Sequence, residues 1–356
     1  MQITGVSKVV PGRVVTNLDL EKLVDTSDAW ITKRTGIHTR HVVEDETAVG
    51  MALEAAEKAI DHAGMDKKDI GLIIASTITS DYVTPSMADC VKKGLDIDAV
   101  AMDIGAGCTG FVFALITAAS LMDTLNIDNA LVIASETLTK FADWTDRRTC
   151  VLFGDGAGAM VLKRGTAACL HHPILEGTAD REDVLYGLRE KRSTPFSQAQ
   201  ECETEYIHMK GTDVFTYAVS AVEDILRKLL QKCGDKPYNK IIPHQANEKI
   251  IDYVIRKMDI QYDQCYINIG EYANTSSATI PIAVFAAYEK GWLVKGDRVA
   301  LVGFGAGLTC GGVVIDWTIL LNGGNENGRT HRQKSDGAAR FKKRRHHARF
   351  EFRGRL

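Results

Sequence analysis

Three short polar segments stand where an apolar core would not choose them, and their residue types form a chemical set. Cys108 lies in Met-Asp-Ile-Gly-Ala-Gly-Cys-Thr-Gly-Phe (102–111), between an apolar stretch that reads as a strand (99–104) and a run from Phe111 to Met122 that is apolar nearly all round. That run has the pattern of a buried helix. A cysteine at its mouth meets unpaired backbone N–H groups and the positive end of the helix dipole. Such a thiol is expected to ionise more readily than a free one, and the thiolate is the nucleophile. His244 follows a short strand in Pro-His-Gln-Ala-Asn (243–247), and Asn274 precedes a second apolar helix in Tyr-Ala-Asn-Thr-Ser-Ser (272–277). A cysteine in apolar sequence reads by default as core packing, a reading that the flanking glycines and helix-mouth position disfavour for Cys108. Taken singly, the histidine reads as a surface or hydrogen-bonded core residue and the asparagine as a helix cap. Together they supply a nucleophile, an imidazole and an amide donor.

The elements that must position these groups alternate. In the first half, 72–77, 99–104, 130–135 and 158–163 read as strands. A helix over 85–95, with Pro85 in its first turn, and the helix after Cys108 lie between them. The second half reads as a long amphipathic helix over 211–233, a strand over 240–243, a helix over 247–258 and a strand over 265–269. A helix over 279–289 and strands over 299–304 and 313–317 complete it. This is an α/β pattern with a mostly parallel sheet covered on both faces. The halves also resemble each other. Cys108 before a buried helix parallels Asn274 before another, and Gly-Asp-Gly-Ala-Gly (154–158) parallels Gly-Phe-Gly-Ala-Gly (303–307). A duplicated unit would turn Cys108 and Asn274 toward a shared centre. The expected organisation is a first half over 1–165, an insertion over 166–210, a second half over 211–321 and a tail over 322–356.

A chain of 356 residues, 45% hydrophobic and 25% charged, has ample material for a core. None of its eight cysteines forms a Cys-x-x-Cys pair, so neither zinc nor a disulfide framework is expected. No signal peptide or membrane-length apolar run is read, which leads to an expectation of a cytoplasmic, soluble protein. The tail carries 11 Lys+Arg against 3 Asp+Glu while the whole chain is at −3, so residues 1–321 are acidic. It reads as a disordered basic extension. Nucleic-acid binding through it is the one non-enzymatic alternative, but the tail matches no recognised binding motif.

At the three polar segments the sequence resembles β-ketoacyl-acyl-carrier-protein synthase III, a condensing enzyme of the thiolase-like superfamily. The landmarks are Thr-Ser-Asp-Ala-Trp-Ile (26–31), Arg-Thr-Gly-Ile (34–37), Gly-Cys-Thr-Gly-Phe (107–111), Asp-Arg-Arg-Thr (146–149), Phe-Gly-Asp-Gly-Ala-Gly-Ala (153–159), Pro-His-Gln-Ala-Asn (243–247), Asn-Thr-Ser (274–276) and Gly-Phe-Gly-Ala-Gly (303–307). The resemblance implies a duplicated five-layer α-β-α-β-α fold with mixed, mainly parallel sheets. It implies that Cys108 is acylated by an acyl-CoA and that malonyl-acyl carrier protein then enters. His244 and Asn274 would stabilise the enolate formed as CO2 leaves, and the product would be a β-ketoacyl-carrier protein that initiates fatty-acid synthesis. Backbone N–H groups of Cys108 and Ala306 would form an oxyanion hole, with Ala306 where the family often has glycine.

The resemblance further assigns Thr26, Trp30, Arg34, Arg147, Leu152, Gly211, Phe215 and Asn247 to the CoA tunnel, with Trp30 and Arg147 sandwiching adenine. Carrier-protein docking is expected at Lys249, Arg256 and Lys257, although Glu248 and Thr216 depart from the family pattern. No metal and no cofactor beyond the CoA thioester substrate is expected, and a homodimer without membrane contact is. The alternative is a related cysteine-dependent acyltransferase or condensing enzyme of specialised, polyketide-type metabolism. Acyl-chain preference is expected to depend on Thr84, Leu308 and loops around 185–205.

Overall fold

The computed structural model describes residues 1–166, 168–187 and 206–320. The tail over 322–356 and most of the expected specificity loop, 188–205, lie outside the described residues.

Strand alternation builds the layers. In the strand Leu72–Ser76, Leu72 and Ile74 pack into one apolar cluster while Ile73 and Ala75 pack into another on the opposite face. This is the period of two that a sheet covered on both sides requires. The first sheet runs, in spatial order, Gln2–Val9, Asp155–Lys163, Asn129–Thr137, Leu72–Ser76 and Val100–Ile104. The last three are mutually parallel, and the first two add antiparallel neighbours. The second sheet runs Lys240–Pro243, Arg298–Gly305, Thr309–Asp316 and Leu170–Gly177. Only its first pair is parallel. The sheets are therefore mixed, with a larger antiparallel share than the helix–strand alternation led us to expect. Hairpin-like returns such as Arg298–Gly305 to Thr309–Asp316 need no crossover helix.

Helices fill the other three layers. Ala48–Ala63 and Met87–Leu95 cover the outer face of the first sheet. Gly211–Cys233 and Glu248–Met258 cover the outer face of the second. Between the sheets lie the two nearly featureless apolar helices, Gly110–Thr124 and Thr279–Glu289. They share a cluster with Leu72 and Ile74 of one sheet and Leu301, Val313 and Ile315 of the other. The segment Gly107–Thr124 is long and apolar enough to cross a membrane. Here it forms part of the central layer between the two sheets.

Several expectations need correction. The segment 166–210 is not simply an insertion. Leu170–Gly177 forms the edge strand of the second sheet, and Leu185–Gly187 pairs with Ile207–Met209. The predicted strand over 265–269 reduces to an isolated bridge between Cys265 and Ile241, followed by the short helix Ile269–Tyr272. Pro85 lies outside its helix, because Ser86 is the N-cap and its side chain accepts from the Asp89 N–H.

Candidate active site

Both central helices begin in the same way. A short 3₁₀ turn, Gly107–Thr109 or Ser276–Ala278, leads into each helix, and neither start has a side-chain cap. The two turns meet at the middle of the molecule. A Cβ on Gly110 would run into the Ser76 side chain on the neighbouring strand and would meet the Ser277 Cβ at 3.4 Å, an ordinary contact distance, so the two helix starts lie against each other. The turn between the last two strands completes the site. A Cβ on Gly305 would lie 2.9 Å from the Cys108 nitrogen and 3.0 Å from its Cβ. One on Gly107 would lie 3.6 Å from the Ala306 nitrogen. The backbone N–H groups expected to form an oxyanion hole thus belong to two loops in direct contact.

The second turn gathers the three polar groups. Asn274 is held in place by backbone bonds, its N–H donating to Leu152 O and its carbonyl accepting from Gly154 N–H. Its Oδ1 accepts from the Ser276 N–H at 2.9 Å. His244, only 1% exposed, is anchored by its own N–H on Val302 O and stands edge-on to Phe304. Its Nδ1 shares a 2.6 Å hydrogen bond with Thr279 Oγ1, and that hydroxyl also lies 3.1 Å from Ser276 O. The Ser276 hydroxyl is buried with no hydrogen-bond partner among the described residues, and it is near enough to Cys108 and Glu136 to favour the charged form of each. Cys108, His244 and Asn274 are therefore all within reach of residues 276–279, although they lie far apart along the chain.

Electrostatics overturn one expectation. The Cys108 thiol is not acidified. Burial pushes it up to about 12, with the nearby Glu136 adding to the effect and the Ser276 hydroxyl opposing it. Removing a thiolate from water costs more here than the helix start returns. Part of the residue's surface nevertheless stays open. Burial also pushes His244 down to about 3, so the imidazole is neutral at physiological pH. Glu136 is wholly buried and its pKa is raised by burial, against hydrogen bonds from Thr79, Ser277 and the Ile78 N–H.

The expected CoA residues separate into two neighbouring groups. The guanidinium groups of Arg34 and Arg147 lie 4.7 and 5.2 Å from the Trp30 ring. Arg147 is also tied to Asp25 through its carbonyl and carboxylate. Trp30 and Leu152 belong to one apolar cluster, and the Thr26 hydroxyl is buried without a partner among the described residues. On the other side, Phe215 meets Tyr253 edge-on and Asn247 caps the helix Glu248–Met258 through a bond from the Lys249 N–H. The helix carrying Trp30 ends at Gly36, against which Glu248 packs, and this joins the groups. Gly211 opens its helix with free space where a Cβ would go, so no close approach demands glycine there.

The docking residues are unequal. Phe215, Lys249, Asp252, Tyr253, Arg256 and Lys257 line an open groove. Lys257 is paired with Glu223 at 2.7 Å and Arg256 stands 3.9 Å from Asp252. Lys249 has no ion pair among the described residues.

This architecture is shared with known proteins. Residues 102–174 match the family described as 3-oxoacyl-[acyl-carrier-protein (ACP)] synthase III, and 233–317 match its C-terminal part. A β-ketoacyl-[acyl-carrier-protein] synthase III of Clostridium beijerinckii is 40% identical over 322 residues, covering 89% of this chain and 99% of the relative. The chain belongs to the β-ketoacyl-[acyl-carrier-protein] synthase III family. The synthase III crystal structure from Aquifex aeolicus VF5 is 38% identical with a TM-score of 0.81, covering 89% of this chain and 99% of that one. The priming β-ketosynthase of the R1128 polyketide pathway is 29% identical with a TM-score of 0.81, covering 89% and 96%.

The sequence reading of this synthase III family chain missed Ser276, Thr279 and Glu136. The first two sit in the polar run Thr-Ser-Ser-Ala-Thr (275–279) before an apolar helix, and Glu136 interrupts a nine-residue strand that is buried throughout. Each breaks the expected apolar pattern, and that break was the available signal.

Proposed function

We propose that this chain condenses an acyl-CoA with malonyl-acyl carrier protein, using Cys108, His244 and Asn274. The supporting observation is their meeting at the entry turn of the Thr279–Glu289 helix. In the first half-reaction the Cys108 sulfur attacks the thioester carbonyl. The Cys108 and Ala306 N–H groups receive the oxyanion. The carbon–sulfur bond to CoA breaks, and the thiol's proton leaves on the CoA sulfur. In the second, the malonyl thioester carbonyl accepts from Asn274 and His244. The carboxylate departs as CO2, the carbanion attacks the acyl-enzyme carbonyl, the carbon–sulfur bond to Cys108 breaks, and the released thiolate takes up a proton from solvent. Each well-placed donor to the developing enolate contributes about 3–4 kcal/mol. Asn274 suits this role, because its Oδ1 is occupied by the Ser276 N–H and its Nδ2 has no partner among the described residues.

Adenine is proposed to enter between Trp30 and Arg147, and the acidic carrier to approach the groove beside Lys249. A homodimer is proposed at the first sheet's free edge. Val100 and Met102 of the edge strand Val100–Ile104 are exposed there, and an uncovered edge invites pairing. The described cysteines all carry free thiols, which fits a reducing cytoplasm. The test is intact-mass analysis after incubation with a panel of acyl-CoAs, followed by CO2 release from malonyl-carrier protein. The wild type is expected to gain one acyl group, and Cys108→Ala none. The same adduct on Cys108→Ala would overturn the nucleophile assignment.

A further inference from the structure

The imidazole of His244 can serve an enolate only through a protonated Nε2, and the partner of its other nitrogen decides whether Nε2 carries the proton. That partner is Thr279. Its hydroxyl has one proton and two acceptors in reach, His244 Nδ1 at 2.6 Å and Ser276 O at 3.1 Å. Three features of the geometry decide between them. A separation of 2.6 Å is short for an N–H donor and within the range of a hydroxyl donor. The 3.1 Å contact is long for a hydroxyl donor. Ser276 O also accepts from the Thr279 backbone N–H, so it is not left unsatisfied when the hydroxyl turns away.

We propose that Thr279 is a positioning residue that donates its hydroxyl proton to His244 Nδ1 and so fixes the tautomer with the proton on Nε2. This rests on the condensing reading above and assigns His244 a narrower role within it. His244 is then a hydrogen-bond donor in the decarboxylation step and not the base that deprotonates Cys108. The neutral imidazole cannot carry a proton on both nitrogens, so without Thr279 the two tautomers compete and the donor is present only part of the time. The surrounding structure suits a fixed hydroxyl. Thr279 is 2% exposed and is the first residue of a buried helix, so packing holds its side chain in place beside the imidazole.

The test compares Thr279→Val, which keeps the shape and loses the hydroxyl, with Thr279→Ser, which keeps the hydroxyl. Acylation of Cys108 and CO2 release from malonyl-carrier protein are measured separately. Thr279→Val is expected to acylate within about twofold of wild type and to lose roughly 10- to 100-fold in CO2 release, less than removal of a whole donor. Thr279→Ser should recover most of it. Nitrogen NMR of ¹⁵N-histidine-labelled wild type, with the His244 signals assigned by their loss in a His244 variant, should show Nε2 protonated and Nδ1 bare. A protonated Nδ1 in wild type, unimpaired CO2 release by Thr279→Val, or an equal fall in both half-reactions would overturn the proposal. If wild type released no CO2 at all, the condensing reading would fail, and the NMR signature would still judge the tautomer.

Discussion

Ser276 donates its backbone N–H to Asn274 Oδ1 at 2.9 Å, and this single bond fixes which end of the amide faces the site. A carboxamide has one acceptor end and one donor end. With Oδ1 occupied, Nδ2 is the group left to meet a substrate carbonyl.

Asn274→Asp replaces that donor with an acceptor while keeping the bond from Ser276. Cys108 should still be acylated, and CO2 release should fall by about 10²–10³. Stopped-flow acylation and a radiometric CO2 assay separate the two. Normal CO2 release would remove Asn274 from the mechanism.

Gly305 offers a test of the contact between the two loops. A Cβ there would sit 2.9 Å from the Cys108 backbone nitrogen, which cannot swing aside as a side chain would. Gly305→Ala should cost roughly 1–3 kcal/mol of stability by overpacking. It should also slow acylation while leaving the KM for acyl-CoA little changed. A crystal structure with the 107–109 turn unmoved would count against this account.

Burial pushes the Cys108 thiol up to about 12, so between pH 6 and 9 its thiolate fraction should climb with pH and show no plateau. Iodoacetamide alkylation of Cys108, followed by mass spectrometry, should quicken about tenfold per pH unit over that range. A plateau below pH 8 would show that the helix start prevails over burial after all.

His244 couples the site to acid stability. Its folded pKa, about 3, lies below the usual 6.5, so under pH 6.5 the unfolded chain binds the proton that the folded one refuses. Stability should therefore fall as pH drops below 6.5, by up to about 1.4 kcal/mol per unit from this group. Glu136, raised by burial, acts in the opposite sense, since its folded form holds a proton more tightly than the unfolded chain does. Urea unfolding at pH 7.5 and 5.0 isolates the histidine when wild type is compared with His244→Asn, whose stability should depend less on pH.

At the groove, charge reversal should matter most where no partner shares the charge. Lys249→Glu is expected to raise the KM for an acidic carrier protein roughly three- to tenfold, and more at low salt. Lys257→Ala should do less, because Lys257 is held by Glu223. Equal effects of the two changes would contradict this ranking.

Much of this protein was legible along the chain. The helices over 211–233 and 279–289 and the strand over 240–243 coincide with the sequence reading, because apolar periodicity and flanking turns mark them locally. The edge strand Leu170–Gly177 was not legible. An edge strand has one unpaired side and mixed burial, so its sequence carries little periodic signal.

The sequence by itself determined which residues could do chemistry and that each precedes or follows a regular element. Only the tertiary structure decided how they are brought together. It brought Cys108, His244 and Asn274 to residues 276–279, which no local pattern encodes, because packing of two sheets on two central helices sets that meeting. It also reversed the expected acidity of Cys108, since burial is a property of the surrounding layers and not of the residue's neighbours in sequence.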